Sequence, residues 1–349
     1  MNFISIALPV YNGDNYLEEA IDSIEDQDYS HYELVILDNH STDRTSEILK
    51  ARSAANPRIR VIRNPATVSQ VENVNLSVLN CKGEWIQLFC HDDIMLPGCL
   101  SSLDKAISAV SNDPGITLIG HGAAWLFSND VVHLPGTLVD GSEYFSRTRL
   151  SDASVVRKFD TSRVKIYRHG VGSKQELKEK IQLYLPALTT AVVRRDAFIQ
   201  NGMFDHRYVH FDVFAWMKML MEKDYLLLDI PLTLTRIHGM QVAVDARKTQ
   251  RTIRDNVDFW KEYAGMIRKK QKLGLQSELM LYLKPMSTIS GLISVELVKG
   301  DIKGAWRIFS NQDILSMPVI ALLVLRSYPR EKRRIEKLAE VVPLPLIYP

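Results

Sequence analysis

The sequence predicts an α/β protein in which helices flank a mostly parallel sheet, followed by a helical C-terminal region. Apolar segments of strand length alternate with segments of helical periodicity over the first 120 residues, which is typical of a parallel sheet covered on both faces. Clusters of polar residues follow three of these strands, at the sheet edge where such folds bind ligands. Beyond about residue 245 the strand signals fade and helical periodicity remains.

Four strands are predicted in the first 90 residues, because four short apolar runs are followed by turn or capping residues. The runs are Phe3 to Leu8, Leu34 to Leu37, Arg60 to Ile62 and Trp85 to Cys90. A proline ends the first run, and the capping cluster "DNHSTD" follows the second.

The helices between these strands are predicted from apolar residues that recur every three or four positions. Asp43 is the predicted N-cap of the second helix, and the segment "TVSQVENVNLSVLN" forms the third. The positions that indicate the first, third and fourth helices are Leu17, Ile21 and Ile24; Val71, Val74 and Val78; and Leu100, Leu103, Ile107 and Val110.

The middle of the chain has a less regular pattern. Residues 129–180 are polar with few apolar runs, and we expect a loop-rich insertion there. The segment "DVFAWMKMLMEKD" is predicted to form an amphipathic helix, and "YLLLDIPLTLTRIH" a strand pair broken at Pro231. We place the domain boundary at residue 245, with an α/β domain over 1–244 and a helical region over 245–349.

The composition excludes several classes of protein. There are 43 basic and 41 acidic residues, a net charge of +2, so no global field indicates nucleic acid as a partner. Three cysteines in a chain of 349 residues do not indicate a disulfide framework. We see no secretory signal and no apolar run that would span a bilayer, and we expect a cytoplasmic protein.

The motif "CHDD" raises a chemical question, because it places two adjacent carboxylates, Asp92 and Asp93, directly after a buried strand. At about 4 Å and an intermediate dielectric two such charges repel by about 4 kcal/mol. A divalent cation, Mg²⁺ or Mn²⁺, would relieve that repulsion, with substrate phosphates completing its coordination. A solvated turn that caps the next helix explains the two acids equally well at this point.

The turns after the first two strands exclude two nucleotide-binding classes. Neither turn contains the glycine-rich fingerprint of a Rossmann dehydrogenase or the phosphate loop of an ATPase. Asp38, at the end of the second strand, is a candidate acceptor for a base or a ribose. Helix capping is the other interpretation of Asp38, and the more natural one for Asp43.

Four segments, in this order, resemble family 2 glycosyltransferases of the GT-A fold. They are "ISIALPVYNGDNYLEEAIDSI", "YELVILDNHSTDRTSEIL", "VNLSVLNCKGEWIQLFCHDDIMLP" and "NGMFDHRYVHFDVFAWMKML", and "RIH" at residues 236–238 is similar to the end of that family's catalytic domain. The resemblance covers roughly residues 3 to 240. It implies transfer of a sugar from a nucleotide-sugar, usually UDP-linked, with inversion and with Mg²⁺ or Mn²⁺. It also implies a nucleotide-binding half over 1–120 and an acceptor half over 121–244.

The same resemblance assigns roles to individual residues. Asp212 corresponds to the general base, and Asp92 to the last Asp of the metal-binding Asp-x-Asp. His238 corresponds to a histidine near the metal or the diphosphate. The residues that the resemblance places near the nucleotide are Pro9, Tyr11, Asn12, Asp38, Asn75, His91 and Asp92.

Four positions depart from the family's pattern. Cys90 stands at the first Asp of Asp-x-Asp, and Phe211 replaces the Glu before the base. Leu76 replaces an Arg after Asn75, and Asn39 replaces a second Asp after Asp38. These departures put metal affinity and nucleotide preference in question.

The cysteine of the motif is predicted not to bind the metal, because a thiol is a soft ligand while Mg²⁺ and Mn²⁺ prefer oxygen. We expect Cys90 to end the buried strand as a small apolar residue, with His91 facing the ribose or solvent. Asp92 is then the principal protein ligand, with His238 as a second. Asp93 is expected to point away from the metal and brace the loop.

The C-terminal tail joins an apolar stretch to a basic cluster. Residues 326–337 contain six basic and two acidic side chains, a local charge of +4, and such a segment can lie on an anionic membrane. A core helix followed by a solvated helix is the alternative. The sequence favours that alternative slightly, and a peripheral membrane contact through residues 314–337 is the other expectation, as would suit an enzyme that extends a polyprenyl-linked glycan.

Three functions compete on this sequence. The leading one is a metal-dependent inverting hexosyl- or N-acetylhexosaminyl-transferase of bacterial surface-polysaccharide synthesis. A non-catalytic binding or scaffold subunit with the same fold is the second, and Cys90, Phe211 and Leu76 favour it. The third, a nucleotidyltransferase, would need a glycine-rich basic first loop, which "PVYNGDN" lacks.

Overall fold

The computed structural model describes residues 1–127, 131–135, 144–149, 164–167, 185–237 and 251–270, and single helical positions between 290 and 333. The chain divides into two compact units. All the strands described below belong to the first unit, which ends at Ile237, and the longest described helix belongs to the second. The elements, in chain order, are β1 Ile4–Val10, α1 Leu17–Glu25, β2 Tyr32–Asp38, α2 Thr45–Ala55, β3 Ile59–Arg63, α3 Gln70–Leu79, β4 Trp85–Leu88, β5 Ile94–Met95, α4 Cys99–Ala109, β6 Ile116–Phe127, β7 Val131–Pro135, β8 Tyr144–Arg149, β9 Val164–Tyr167, β10 Ala191–Arg194, α5 Arg195–Gln200, α6 Phe211–Met219, β11 Asp224–Ile237 and α7 Arg251–Lys270.

The sheet of the first unit has a parallel half and a mixed half. Its strands follow the order β3-β2-β1-β4-β10-β6-β11-β5. Strands β1 to β4 pair in parallel, as predicted, and β11 runs parallel to β6. The short strand β10 runs antiparallel to both of its neighbours, β4 and β6. The carboxyl ends of β1, β2 and β4 therefore meet at one edge of the sheet.

Two hydrophobic clusters cover the two faces of this sheet. One joins the apolar positions of β1 and β2 to those of α1 and α4, including Ile21, Ile24 and Leu103. The other packs α3, α5 and α6 on the opposite face and contains Trp216, which is fully buried. Burial of each large apolar side chain contributes roughly 1.5–3 kcal/mol to folding, so both faces hold the strand ends in place.

The predicted helices of the first half are confirmed at their apolar positions. Their starts differ in detail from the prediction. Helix α2 begins one residue later than the Asp43 cap implies, with Arg44 at the N-cap. The Asp43 carboxylate still accepts the Thr45 N–H at 3.0 Å. Ser69 caps α3 by accepting the N–H of Glu72.

Two expectations about the middle of the chain were wrong. The predicted loop-rich insertion contains β7, β8 and β9, which pair with one another or with β6 and β11; the other residues of 129–180 lie outside the described residues. The strand pair predicted around Pro231 is one strand, β11, whose register against β6 shifts at Pro231. A proline removes one donor from the ladder, and here a bulge absorbs that loss.

The second unit is described mainly through α7 and the segment Arg207–His210. The Tyr208 hydroxyl donates to Glu262 at 2.7 Å, and the Val209 N–H donates to Asp255 at 2.9 Å. Among the described residues, no helix has both the length and the apolar character that crossing a membrane requires.

Candidate active site

The acidic motif forms a tight turn beyond β4. The Asp93 N–H donates to the carbonyl of Cys90, and this turn gathers the side chains on one side. The thiol of Cys90 and one carboxylate oxygen each of Asp92 and Asp93 all lie within 4.8 Å of one another. The expectation that Asp93 points away from the cluster was therefore wrong.

Asp93 nevertheless braces the loop, as predicted. It is 3% exposed, and its Oδ1 accepts the main-chain N–H of Arg236 at 2.9 Å. Burial and the neighbouring charge of Asp92 raise the pKa of Asp93 well above its ordinary value, and the Arg236 N–H opposes that shift. Asp92 is the more exposed of the two acids.

Arg236 is a residue that the sequence reasoning did not assign. Its Nε donates to the carbonyl oxygen of Asp92 at 3.0 Å, and its Nη2 lies 2.5 Å from Glu19. Its guanidinium also lies over the ring of Tyr16, 4.6 Å from the centroid. The only signal in the sequence was its place in "RIH" at the end of the resemblance.

Cys90 is held as a neutral thiol. Burial raises its pKa well above the ordinary value, and the charges of Asp93, Asp92 and Asp212 raise it further. The thiol also packs against the hydrophobic cluster beneath it. That Cys90 does not bind a metal remains a prediction, and a thiol kept protonated is consistent with it.

The charge of Asp212 is among those that raise the pKa of Cys90, as expected for a carboxylate near the acidic motif. Asp212 lies in the first turn of α6, where its Oδ1 accepts the N–H of Val213 at 2.8 Å. Phe211, the departure beside it, is 7% exposed and its ring lies 5.0 Å from that of Phe204. Phe211 therefore packs into the core.

The turns after β1 and β2 are bonded to each other. Asn12, with a φ of 49°, donates its N–H to the Ser41 hydroxyl and accepts the Thr42 N–H on its side chain. Tyr11, beside it, is 47% exposed. Pro9 lies within β1, opposite Leu37. These two turns, after β1 and β2, together form the surface called the ledge below. The ring of Tyr11 on this ledge is exposed to solvent.

His91 connects this ledge to the acidic motif. A Cβ added at Gly13 would lie 2.7 Å from Cδ2 of His91, so the imidazole packs directly on the glycine. Only glycine leaves room for the ring there. The contact joins His91, in the acidic motif, to the turn after β1.

Asp38 lies at the end of β2 and is buried. Its carboxylate accepts the Ser41 N–H at 2.9 Å, the Ser46 hydroxyl at 3.1 Å and Nη1 of Arg63 at 2.5 Å. Arg63, which sequence reasoning missed, also donates to the carbonyl of Ser41. Asp38 thus organises the turn, and its contact with a base remains a prediction.

Three asparagines join the ends of β2 and β3 to α3. The side chain of Asn64 donates to those of Asn39 and Asn73, and Asn73 donates to the carbonyl of Leu37. Asn39, where the family has a second Asp, therefore holds a buried network together. A charged residue at that position would need a different set of partners.

Asn75 is occupied differently from the expectation. Its side-chain amide donates to the carbonyl of Phe204 at 2.9 Å and accepts the Phe204 N–H at 3.1 Å. Both ends of the amide tether α3 to the segment before α6, and a contact of Asn75 with the nucleotide remains a prediction. Leu76 beside it is half-buried. His238 and most of residues 314–337 lie outside the described residues.

The donor set of the acidic motif fits a hard divalent cation. The side chains of Asp92 and Asp93 lie close together beside the turn after β1, and oxygen ligands are those that Mg²⁺ and Mn²⁺ prefer. A bound nucleotide would supply further oxygen ligands from its phosphates.

Comparison with known proteins relates the first third of the chain to one family. Residues 5–113 match the model of "Glycosyl transferase family 2". The chain carries a domain of glycosyltransferase family 2. The match contains the nucleotide ledge, Asp38, His91 and Asp92, whereas Asp212 and His238 follow it in the chain.

One sequence relative is itself a glycosyltransferase, and two solved structures share the fold. The family 2 domain is 32% identical over 112 residues to glycosyltransferase GlyG of Streptococcus pneumoniae, covering 32% of this chain and 36% of that protein. The mannosyltransferase PcManGT of Pyrobaculum calidifontis, solved with GDP-Man and Mn²⁺, superposes with a TM-score of 0.53 at 14% identity, over 95% of this chain and 83% of that one. TarS 1–349 of S. aureus with UDP-GlcNAc gives 0.51 at 12% identity, over 97% and 92%.

These likenesses establish the GT-A fold predicted from the sequence. The chain spans about a third or less of the length of the first curated relatives it matches.

Proposed function

We propose that this protein is a metal-dependent inverting glycosyltransferase that takes its sugar from a nucleotide-sugar, with UDP-sugars as the expected donors. The observation that carries the proposal is the convergence of Asp92, Asp93 and Asp212 around Cys90, next to a turn that His91 joins to the acidic motif. It would bring the proposed metal ligand, the proposed base and the proposed nucleotide-binding turn close together.

The donor would lie along the carboxyl edge of the sheet. Tyr11 offers an exposed ring to the base, and the turn held by Asp38 and Arg63 bounds the ribose. Asp92 and His238 would hold Mg²⁺ or Mn²⁺, which when bound supplies positive charge to the leaving diphosphate. The other nucleotide contacts are those assigned to Pro9, Asn12, Asn75 and His91.

Asp212 is the proposed base. A sugar hydroxyl has a pKa far above neutral, so a carboxylate must accept its proton as the new glycosidic bond forms. The anomeric carbon acquires oxocarbenium character on the way. A single carboxylate opposite the leaving group is sufficient for one displacement, and one displacement inverts the configuration.

The acceptor is proposed to be a glycan or a polyprenyl-linked oligosaccharide of surface-polysaccharide synthesis, reached by a protein attached to the cytoplasmic face of the membrane. The tail supports this by its charge of +4 over residues 326–337. Its described residues include Leu325, which is 74% exposed, and the exposed Lys332 and Arg333. Cosedimentation with anionic vesicles, lost at high salt, tests this part.

A screen of nucleotide-sugars by calorimetry, with and without Mn²⁺, tests the main proposal. UDP should bind more tightly than GDP or ADP. Asp38→Ala should weaken the binding of UDP by about 1–3 kcal/mol, because the substitution leaves buried hydrogen-bonding groups without their partner. Detection of the transferred sugar then separates an enzyme from a scaffold subunit. Metal-independent binding without transfer would favour the scaffold, and equal affinity for the three nucleotides would contradict the UDP assignment.

A further inference from the structure

Arg236 connects three parts of the first unit at the acidic motif. It lies at the end of β11, its Nε donates to the carbonyl of Asp92 at 3.0 Å, and its main-chain N–H donates to Asp93 at 2.9 Å. On its other side it lies 2.5 Å from Glu19 and over the ring of Tyr16, both near the start of α1.

The contacts differ in what a substitution would remove. The bond to Asp93 comes from the main chain and persists in any variant except proline. The bonds to Asp92 and Glu19 and the ring contact come from the guanidinium, whose planar fork can hold several acceptors at fixed angles. Its side chain is 13% exposed and that of Glu19 47%, so solvent competes weakly at the Arg236 end.

The carbonyl that Arg236 holds belongs to the residue proposed as the principal metal ligand. Holding the peptide of Asp92 restricts the positions that its carboxylate can reach, on a turn that is short and partly exposed. Arg236 also precedes His238, the second proposed ligand, by two positions in the chain. Partners that orient metal ligands in this way commonly influence metal affinity by 10–100-fold.

We propose that Arg236 is a positioning residue that sets the carboxylate of Asp92 for the metal, and that Glu19 and Tyr16 hold its guanidinium in place. This rests on the proposed function. Its effect lies in metal affinity, because Arg236 contacts the acidic motif and α1, whereas the base and ribose are expected on the ledge after β1 and β2.

Metal titrations of variants test the proposal. Arg236→Ala should raise the Mn²⁺ concentration for half-maximal transfer by about 10–100-fold. The KM for the nucleotide-sugar at saturating Mn²⁺ should stay near wild type. Arg236→Lys keeps the charge but not the fork, and should recover part of the loss. Calorimetric titration of Mn²⁺ into the UDP-saturated protein should give the same order without requiring activity.

A remote variant covers the case in which Arg236→Ala does not fold. Glu19→Gln leaves the acidic motif untouched and should raise the Mn²⁺ midpoint by about two- to fivefold, as for a weakened outer contact. Glu18→Gln is the matched control, because Glu18 is paired with Arg52 instead, and it should match wild type. Thermal denaturation is recorded for every variant.

The outcomes separate the two proposals. If wild type transfers sugar but Arg236→Ala and Glu19→Gln keep its Mn²⁺ midpoint, the positioning role is overturned and the proposed function stands. Loss of thermal stability with an unchanged midpoint also overturns it. If wild type neither binds Mn²⁺ with UDP nor transfers sugar, the proposed function falls and this proposal with it.

Discussion

The main-chain N–H of Arg236 donates to the carboxylate of Asp93 over 2.9 Å, across 143 positions of sequence. This bond closes the acidic turn on the last strand of the first unit. Because Asp93 is buried and adjacent to Asp92, its pKa is raised well above the ordinary value. What the fold requires at this position is an oxygen that accepts the Arg236 N–H.

Substitutions of Asp93 should separate the contribution of its acceptor oxygen to stability from the contribution of its charge. We expect Asp93→Asn to retain the acceptor for the Arg236 N–H and to remain close to wild type in stability. Asp93→Ala leaves that N–H without its partner in a buried place and should cost about 1–3 kcal/mol of unfolding free energy. Urea denaturation of both variants measures this. Equal losses in the two would indicate that the charge, and not the acceptor, supports the turn.

The metal site should depend on Asp92 and not on Cys90. Asp92→Ala should lower metal-dependent transfer on the order of 10³-fold, about 4 kcal/mol, and chelator should have the same effect on wild type. Cys90→Ser should keep most activity, because the neutral thiol lies two residues beyond the end of β4 and packs on the core. A loss in Cys90→Ser as large as that in Asp92→Ala would make the thiol a ligand.

The proposed base can be distinguished from a helix-start residue. Asp212→Asn retains an oxygen for the Val213 N–H, so folding and donor affinity should remain near wild type. Transfer should fall by about 10²–10⁴-fold, the usual contribution of a general base. Asp196→Asn, in the first turn of α5, is the control and should retain full rates. If Asp212→Asn transfers sugar at a rate within a few-fold of wild type, Asp212 is not the base and serves only to stabilise the start of α6.

The burial of His121 predicts that the folded protein loses stability in acid. It is fully buried in β6, its Nδ1–H donates to the carbonyl of Gly122, and burial lowers its pKa from 6.5 to about 4. Between those values the unfolded chain binds the proton and the folded protein does not. Stability from this residue is therefore complete above pH 6.5 and falls by about 3 kcal/mol as the pH drops to 4.

Comparing denaturation curves at several pH values isolates this contribution. His121→Leu should flatten the fall between pH 6.5 and 4 relative to wild type, whereas His31→Leu, at an exposed position, should leave the slope unchanged. Parallel curves for wild type and His121→Leu would mean that carboxylates elsewhere account for the acid sensitivity.

The sequence by itself determined the parallel half of the sheet and its helices. Apolar periodicity is a local property, and Leu17, Ile21 and Ile24 face the core in α1 as their spacing predicts. The order of the motifs also indicated the family and the position of the acidic pair. Signals of this kind depend only on residues that are close in sequence, so they do not require knowledge of which distant segments make contact.

Tertiary structure alone decided how the site is held together. Arg63 reaches Asp38, Arg236 reaches the acidic turn, and Phe211 turns into the core beside Phe204. Strands β7 to β9 likewise form through pairing with partners elsewhere in the sheet. Such contacts join residues far apart in the chain, and their energy comes from hydrogen bonds and burial between partners, which no local periodicity records.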